Sequence, residues 1–191
     1  MDWRPGVGAT LLVDNFNTTG HWSTGTRNQG TVAQGTGELS IVITRPKGYL
    51  YSVRNEPDLS NFYAEITTSP NLCHGKDEYG LLFRYQSPSD FYRYSLSCDG
   101  FIRLDRVVGG VATSPQPWMA SASVPKGAPS FSKIAVWVAG NEMRFFVDDE
   151  YQFSIRDRGL SNGLIGVFAR SAGENAVTVL FSNLIIWELH P

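Results

Sequence analysis

Charged residues are scarce in this chain: Asp, Glu, Lys and Arg make up 18% of its 191 residues, and the formal net charge is -2. Proteins that bind nucleic acid or anionic membranes present clearly basic surfaces, so the sequence gives no reason to expect either partner. No apolar run approaches the roughly 20 residues of a membrane-spanning helix, and the amino-terminal residues lack the basic and apolar regions of a signal peptide. The three histidines have no metal-binding spacing and no nearby nucleophile motif, so neither zinc nor a Ser-His-Asp triad is predicted.

Aromatic residues and glycine, by contrast, are plentiful: 13% of the residues are Phe, Trp or Tyr, and Gly numbers 19. The most informative segment, residues 79–107, contains three runs of alternating apolar and polar residues separated by Ser-Pro-Ser-Asp and Asp-Gly. Alternation with this punctuation predicts half-buried antiparallel strands rather than helix. Asp99-Gly100 predicts a two-residue type I′ turn, in which both central residues have a positive φ. Residues 79–107 are therefore predicted to form a β-meander.

The rest of the chain shows the same short strands and turns, without sustained 3.6-residue periodicity, a linker or an internal repeat. Further strands are predicted at residues 9–16, 31–34, 38–44, 49–53, 62–69, 132–139, 141–147, 151–155, 163–169, 177–181 and 184–189, and a long loop at 112–130. So many antiparallel strands must close or stack to cover their apolar faces. We predict an all-β, two-sheet antiparallel sandwich (a jelly roll) formed by residues 1–191 as one domain, with the first and last strands side by side.

Pairing strand 79–86 with strand 91–98 across the Ser-Pro-Ser-Asp turn predicts which side chains share a face. Arg84 then lies opposite Arg93, and the Asp-Gly turn places Arg106 opposite Arg93 as well. The other face carries the predicted core residues Tyr79, Leu81, Phe83, Tyr85, Tyr92, Tyr94, Leu96 and Phe101. Three arginines on adjacent strands repel one another unless an anionic or hydrogen-bonding group lies over them.

Arg84, Arg93 and Arg106 are therefore candidate ligand-binding residues, because guanidinium groups donate to hydroxyls and carboxylates in a fixed, forked geometry. The alternative is a solvated outer face with local acidic partners such as Asp105 or Glu65. Trp118 is a fourth candidate, since an exposed ring in the predicted loop can stack on a sugar. The alternative for Trp118 is a ring that closes the open end of the sandwich.

Paired catalytic acids are not apparent. A jelly-roll glycosidase needs two carboxylates about 5–9.5 Å apart, which an E-x-D-x-x-E pattern on a strand supplies. The nearest match, residues 56–61, lacks the final acid and contains Pro57, so it is interpreted as a turn. Asp148, Asp149 and Glu150 occupy a predicted hairpin tip, where acids are ordinary turn residues. A calcium site at this tip is the alternative; otherwise no catalytic residue, metal ligand or cofactor is assigned.

The chain has two cysteines, Cys73 and Cys98. The predicted register puts Tyr79 opposite Cys98, and the loop before Tyr79 carries Cys73, so both sulfur atoms fall at the same end of one sheet. This geometry predicts a Cys73–Cys98 disulfide, the alternative being two half-buried thiols. A disulfide implies an oxidising compartment. We therefore expect an extracytoplasmic protein, secreted or in the cell envelope, and interpret the chain as a mature domain without its signal peptide.

Several motifs together resemble a known group of proteins. They are Asp14-Asn15-Phe16 with Trp22, YGLLFR at 79–84 with DFYRYSLSCDG at 90–100, NEMRFFVDDEYQFSIRD at 141–157, and SNGLIGVFA at 161–169 with FSNLIIWEL at 181–189. The chain resembles the concanavalin A-like lectin/glucanase superfamily, and more narrowly the laminin-G-like and 3-keto-disaccharide-hydrolase-like jelly-roll domains of bacterial secreted proteins. The resemblance implies a jelly roll with a paired cysteine near the Asp-Gly hairpin. It implies no single function, because that superfamily mixes lectins, hydrolases, lyases and binding modules.

Three functional hypotheses follow. The leading one is a non-catalytic exported module that binds carbohydrate, or another cell-surface or extracellular ligand, on one sheet face. The second is a glycoside hydrolase or polysaccharide lyase that acts on glycosidic bonds. The third is a structural or protein-interaction domain of a larger envelope protein.

Overall fold

The computed structural model describes residues 1–190 as fifteen strands joined by turns and loops. They are β1 (Val7–Asp14), β2 (Gly25–Arg27), β3 (Gly30–Gly35), β4 (Glu38–Ile43), β5 (Tyr49–Val53), β6 (Phe62–Leu72), β7 (Glu78–Ser87), β8 (Asp90–Ser97), β9 (Phe101–Val108), β10 (Val111–Ala120), β11 (Ser132–Ala139), β12 (Glu142–Val147), β13 (Glu150–Arg156), β14 (Leu164–Arg170) and β15 (Val177–Leu189). Within these residues the structure contains no helix with the length and apolar character needed to cross a membrane.

The strands form two antiparallel sheets that pack face to face. The nine-stranded sheet runs β13-β12-β11-β6-β15-β4-β3-β2, and β1 pairs with the second half of β15. The six-stranded sheet runs β10-β9-β8-β7-β14-β5. The predicted two-sheet sandwich, with its first and last strands side by side, is confirmed. The predicted strands 177–181 and 184–189 are the two halves of β15, which is irregular at Asn183 (φ 51°).

The core lies between the sheets and takes alternate residues from the strands. In β4, Leu39, Ile41 and Ile43 are completely buried, while the residues between them are partly exposed. Each such side chain contributes about 1.5–3 kcal/mol when it is fully buried. The opposite sheet supplies Tyr79, Leu81, Phe83, Tyr92, Tyr94 and Leu96, six of the eight core residues predicted for the meander.

The meander itself is confirmed, but the turn between β8 and β9 has three residues rather than two. Of the three, Gly100 alone has a positive φ (92°), and its amide donates to the carbonyl of Ser97 at 3.1 Å. A type I′ turn needs two residues with positive φ. The predicted turn type is therefore wrong.

The extra turn residue shifts the register of β9 by one position and exchanges its two faces. Arg106 lies opposite Tyr92, and Asp105 lies opposite Arg93. The predicted pairing of Arg106 with Arg93 is therefore wrong. Phe101 likewise moves from the predicted core face to the outer face of the six-stranded sheet.

A bulge in β7 changes the second predicted pairing. Arg84 lies in this bulge with a φ of 47°, and beyond it Leu82 rather than Arg84 lies opposite Arg93. The predicted pairing of Arg84 with Arg93 is therefore wrong. Tyr85 also leaves the predicted core face and stacks on Phe91, with ring centroids 5.9 Å apart, outside the main core.

Trp118 lies on a strand, although residues 112–130 were expected to form a loop. β10 pairs with β9 through two register shifts and forms one edge of the six-stranded sheet. Pro115 and Pro117 are tolerated because an edge strand does not need every amide for pairing. The loop prediction holds for the second part of this segment, residues 121–130.

The predicted disulfide is confirmed. Cys73 and Cys98 are bonded, with their Cα atoms 5.9 Å apart. The bond joins the connection between β6 and β7 to the turn that follows β8. The amide of Cys98 also donates to the carbonyl of Asp77 at 3.0 Å, so the two segments are linked twice.

Asp14 links the residues of the motif Asp14-Asn15-Phe16 with Trp22 through buried hydrogen bonds. Its Oδ1 accepts the amide of Phe16 at 2.8 Å, and its Oδ2 accepts the Trp22 indole at 2.9 Å and the Nε of Arg54 at 2.8 Å. All four residues are buried. Burial by itself raises the pKa of Asp14, but the hydrogen bonds from Arg54, Trp22 and the Phe16 amide outweigh it, so this pKa lies below its ordinary value.

Candidate functional site

The four predicted ligand-binding residues lie in two separate places. Arg93 and Trp118 are on the outer face of the six-stranded sheet, whereas Arg84 and Arg106 are at one end of the sandwich. We call the first place the arginine face. It consists of Tyr49, Glu78, Arg93, Arg103, Asp105, Trp118 and Arg170, contributed by β5, β7, β8, β9, β10 and β14.

Two carboxylates and three guanidinium groups form a continuous network across the arginine face. Arg103 bridges the two acids: its Nη2 donates to both oxygens of Glu78 at 3.1 Å, and its Nε lies 3.2 Å from Oδ1 of Asp105. Arg93 donates to Oδ2 of Asp105 at 2.8 Å, and Arg170 lies 3.3 Å from Oε1 of Glu78. Both carboxylates are buried, while the side chains of Arg103 and Arg170 are 18% and 32% exposed. Arg103 and Arg170 are therefore the accessible part of the network, which carries one excess positive charge.

Aromatic rings flank this network on both sides. The Cζ of Arg103 lies 4.2 Å from the centre of the Trp118 ring, and the Cζ of Arg170 lies 5.0 Å from the centre of the Tyr49 ring. Cations above ring faces are attracted by the ring electrons. Trp118, Arg103, Arg170 and Tyr49 thus form a partly exposed row from one sheet edge to the other, which we call the transverse row. At about 4.8 Å per strand spacing, the row extends about 24 Å.

Hydrogen-bonding capacity is left over on this face. The hydroxyls of Tyr49 and Ser95 are buried and have no hydrogen-bond partner among residues 1–190. Ser95 lies opposite Gly80 in the middle of the sheet and is completely buried. Unpaired buried hydroxyls are uncommon in folded proteins. Both hydroxyls are inaccessible, so a ligand or water reaches them only if the covering side chains move.

Burial shifts the pKa values of both Tyr49 and Arg93, and a nearby charge also acts on Arg93. Burial raises the pKa of the Tyr49 hydroxyl, which therefore stays protonated as a hydrogen-bond donor. Burial by itself lowers the pKa of Arg93, but the hydrogen bond to the Asp105 carboxylate and its charge outweigh burial, so this pKa is raised. Arg93 is thus held charged beneath the accessible arginines, within 5.8 Å of the rings of Tyr49, Phe91 and Phe168.

Arg84 occupies the end of the sandwich and is 1% exposed. Its Nη1 donates to the carbonyl of Leu160 at 2.9 Å, and its Nη2 donates to the carbonyl of Ser60 at 2.7 Å. Gly163 lies against the backbone of Arg84, where no Cβ could be accommodated. These contacts explain the left-handed backbone of Arg84, because the surrounding structure holds it in place.

Arg106 lies near the same end and pairs with Asp157 at 2.8 Å. The other oxygen of Asp157 accepts the hydroxyl of Tyr92 at 2.5 Å. That hydroxyl in turn accepts the amide of Leu160, whose carbonyl is held by Arg84. The structure therefore brings Arg84 and Arg106 together, but away from Arg93 and Trp118. The ligand-binding role of all four stays a prediction.

The acidic segments are engaged within the fold. Asp58 is exposed and accepts the side-chain amide of Asn162, in the connection that was interpreted as a turn. At the hairpin tip, Asp148 accepts the backbone amide of Lys133, and Asp149 pairs with Lys133 at 2.9 Å and with Arg4. Among residues 1–190, no group of three or more His, Cys, Asp or Glu side chains is arranged to hold a metal ion. The calcium alternative stays untested.

Three solved structures of similar fold cover almost the whole chain. The carbohydrate-binding module CBM66 from Bacillus subtilis is 14% identical, with a TM-score of 0.65 over 98% of this chain and 99% of that one. The beta-glucanase of Bacillus licheniformis is 13% identical, with a TM-score of 0.68 over 96% and 99%. The catalytic domain of an endo-1,3-beta-glucanase (laminarinase) from Thermotoga petrophila is 9% identical, with a TM-score of 0.66 over 96% and 98%. No protein-family model and no curated protein sequence matches the chain. The likeness to solved structures confirms the predicted concanavalin A-like jelly-roll fold.

Proposed function

We propose that this chain is a non-catalytic module that binds carbohydrate on the arginine face. The observation that supports this most is the transverse row, in which two partly exposed guanidinium groups lie between two aromatic rings across the sheet. Guanidinium groups donate paired hydrogen bonds to hydroxyl and carboxylate oxygens. Rings of Trp and Tyr offer a flat apolar surface with a polar edge, which suits the mixed surface of a sugar. A carbohydrate-binding module among the similar structures agrees with this proposal.

The ion-pair network adds preorganisation to this surface. Glu78 and Asp105 fix the guanidinium groups of Arg103 and Arg170 before any ligand arrives. A binding site whose side chains are already ordered loses less conformational freedom when it binds. Arg93, which is buried below, is proposed as a positioning residue for Asp105 rather than as a direct contact.

Glycoside hydrolysis is the second candidate function. Beta-glucanases share the fold, and Glu78 and Asp105 both lie on the arginine face. Each of these carboxylates, however, already contacts two guanidinium groups, whereas a glycosidase needs one carboxyl group free to protonate the leaving oxygen. Binding is therefore the better-supported proposal. Reducing ends released from a polysaccharide panel by the wild type, and lost in Glu78→Gln, would instead favour the hydrolase.

We also propose an extracytoplasmic location. The Cys73–Cys98 disulfide supports it, because such bonds persist mainly in oxidising compartments. The proposed partner is a glycan of a cell surface or extracellular matrix, which would be encountered in the same compartment.

A glycan array with a matched pair of tryptophan variants tests the binding proposal. Trp118→Ala removes one end of the transverse row and is expected to weaken the best glycan signal at least tenfold. Large aromatic side chains that become buried on binding contribute much of the binding free energy. Trp3 serves as the control, because its ring stacks on Tyr151 at 4.0 Å on the opposite sheet and is 37% exposed. Trp3→Ala is expected to bind like the wild type.

Melting curves of both variants separate lost binding from lost folding. Equal binding by the wild type and Trp118→Ala, in the presence of a clear glycan signal, would remove the arginine face from the proposal. The absence of any glycan signal would contradict carbohydrate binding as such.

A further inference from the structure

A cleft of about 350 Å³ opens at the end of the sandwich where three connections meet. These connections join β5 to β6, β11 to β12, and β13 to β14. The polar residues that line it include Ser60, Asn61, Arg84, Asn141, Asp157 and Arg158. No residue of the arginine face contributes to this end cleft, so the two places are separate sites.

Arg84 brings a buried positive charge to the wall of the end cleft. Its terminal nitrogens contact two backbone carbonyls, and its Nε has no hydrogen-bond partner among residues 1–190. No carboxylate in the described part of the chain forms an ion pair with it. Burial lowers the pKa of Arg84, which reflects the cost of keeping this charge away from water. A buried charge is normally compensated by an opposite one.

The remaining charges leave the end cleft positive. Asp157 is the acidic residue of the lining, and it is already paired with Arg106 and hydrogen-bonded to Tyr92. Arg158 is exposed at the rim and forms no ion pair with any described residue. Two guanidinium groups, one buried and one at the rim, therefore border the cleft without an acidic partner.

We propose that the end cleft binds the oxyanion of an acidic sugar, a uronate carboxylate or a sugar sulfate, between Arg84 and Arg158. Guanidinium groups bind such oxyanions through paired, charge-assisted hydrogen bonds. The side chains of Ser60, Asn61 and Asn141 border the same space and supply the polar groups that sugar hydroxyls require. This proposal does not rest on the function proposed for the arginine face.

Arg84 has a structural role in addition. It holds the carbonyls of Ser60 and Leu160 together at the end of the sandwich, whether or not a ligand is bound. That role explains two of its hydrogen bonds but neither the unpaired charge nor the arginine at the rim. Because replacing Arg84 would disturb the fold, the test uses Arg158, which is exposed.

The experiment is an NMR titration of the labelled full chain with three matched sugars: D-glucuronate, D-glucose 6-sulfate and D-glucose. At least one of the two anions is expected to give saturable shifts of the backbone amides of Gly140, Asn141, Gly159 and Ser161, and glucose is expected to give none. Whichever anion binds more tightly identifies the oxyanion. Arg158→Gln is expected to weaken that binding about threefold to fivefold, the usual contribution of an exposed charge pair.

Arg156→Gln is the matched control, since Arg156 is exposed on the same segment but does not line the cleft. Its affinity is expected to stay within twofold of the wild type. Trp118→Ala is expected to retain binding at the end cleft, so a failure of the arginine-face proposal would leave this result unaffected. The absence of saturable shifts with both anions, equal binding of glucose, or equal losses in both arginine variants would overturn the proposal.

Discussion

Replacing Asp14 with Asn is expected to lower the free energy of unfolding by about 3–5 kcal/mol, the usual cost of breaking a buried ion pair by removing one partner. Arg54 would remain as a buried cation without its carboxylate, and the Trp22 indole would compete for one neutral oxygen. Urea unfolding followed by tryptophan fluorescence measures the change. Asp58→Asn is the control, because Asp58 is exposed, and we expect it to stay within about 0.5 kcal/mol of the wild type.

The same carboxylate makes stability depend on pH. The pKa of Asp14 is lowered by folding, so its contribution is fully present above the unfolded-state value of 3.8. This contribution is lost as the pH falls below 3.8 and through the lower folded-state pKa. The stability difference between the wild type and Asp14→Asn should therefore shrink over this acidic range. A difference under 1 kcal/mol at neutral pH, or one that grows on acidification, would refute the role given to Asp14.

Removing the disulfide is expected to cost nearly as much. The bond spans 25 residues, and the chain-entropy model gives about 3.5 kcal/mol for a loop of this length. For a domain of this size that corresponds to a fall in Tm of about 7–14 °C. Calorimetry of the Cys73→Ala/Cys98→Ala double variant, which leaves only small voids, measures the effect.

Dithiothreitol provides the internal control for this prediction. It should lower the Tm of the wild type toward that of the double variant and leave the double variant unchanged. If dithiothreitol, which reaches the disulfide once the chain unfolds, does not change the wild-type melting curve, the two cysteines are not bonded. Such a result would also remove the main support for export.

The alternation of apolar and polar residues was sufficient to predict the sandwich and most of its strands. In β11, for example, the predicted bounds and the observed bounds coincide, because Ile134, Val136 and Val138 alternate with residues of the outer face. The hairpin at residues 148–150 was also predicted, but Glu150 belongs to β13, so the turn consists of Asp148 and Asp149 alone. Both residues have positive φ (49° and 66°), as a two-residue hairpin requires. Local patterns of this kind depend on neighbouring residues alone.

The faces of the meander were less predictable, because they depend on single residues in turns and bulges. Because the turn before β9 has one additional residue, Arg103 and Asp105 lie on the outer face, where Arg106 was predicted. The bulge at Arg84 depends on carbonyl groups that the connections near Ser60 and Leu160 supply from distant parts of the sequence. Neither feature has a signature in the local pattern.

The positions of the candidate residues were accordingly predicted in part, while their ligand-binding role stays a prediction. Arg93 lies on the expected outer face, whereas Trp118 was expected in a loop and lies on β10. Of the two acidic partners that the alternative interpretation named, Asp105 pairs with Arg93, but Glu65 lies in the nine-stranded sheet and contacts Lys133. Glu78 and Arg170 were missed, because β14 follows far along the chain and its position beside β7 is set by the topology of the whole sheet. If the turn between β8 and β9 is taken to have three residues, Arg103 and Asp105 fall on the same face as Arg93, and the sequence then indicates the ion-pair network.

The most direct test of the central claim is an NMR titration of arginine Nε–H and tryptophan indole signals with the glycan that gives the strongest array signal. Our account predicts saturable shifts for Arg103, Arg170 and Trp118 on the six-stranded sheet, while Trp3 and Arg144, which lie together on the opposite sheet, stay unchanged. Shifts confined to Trp3 and Arg144, or bound glycan that leaves the arginine face unperturbed, would contradict it.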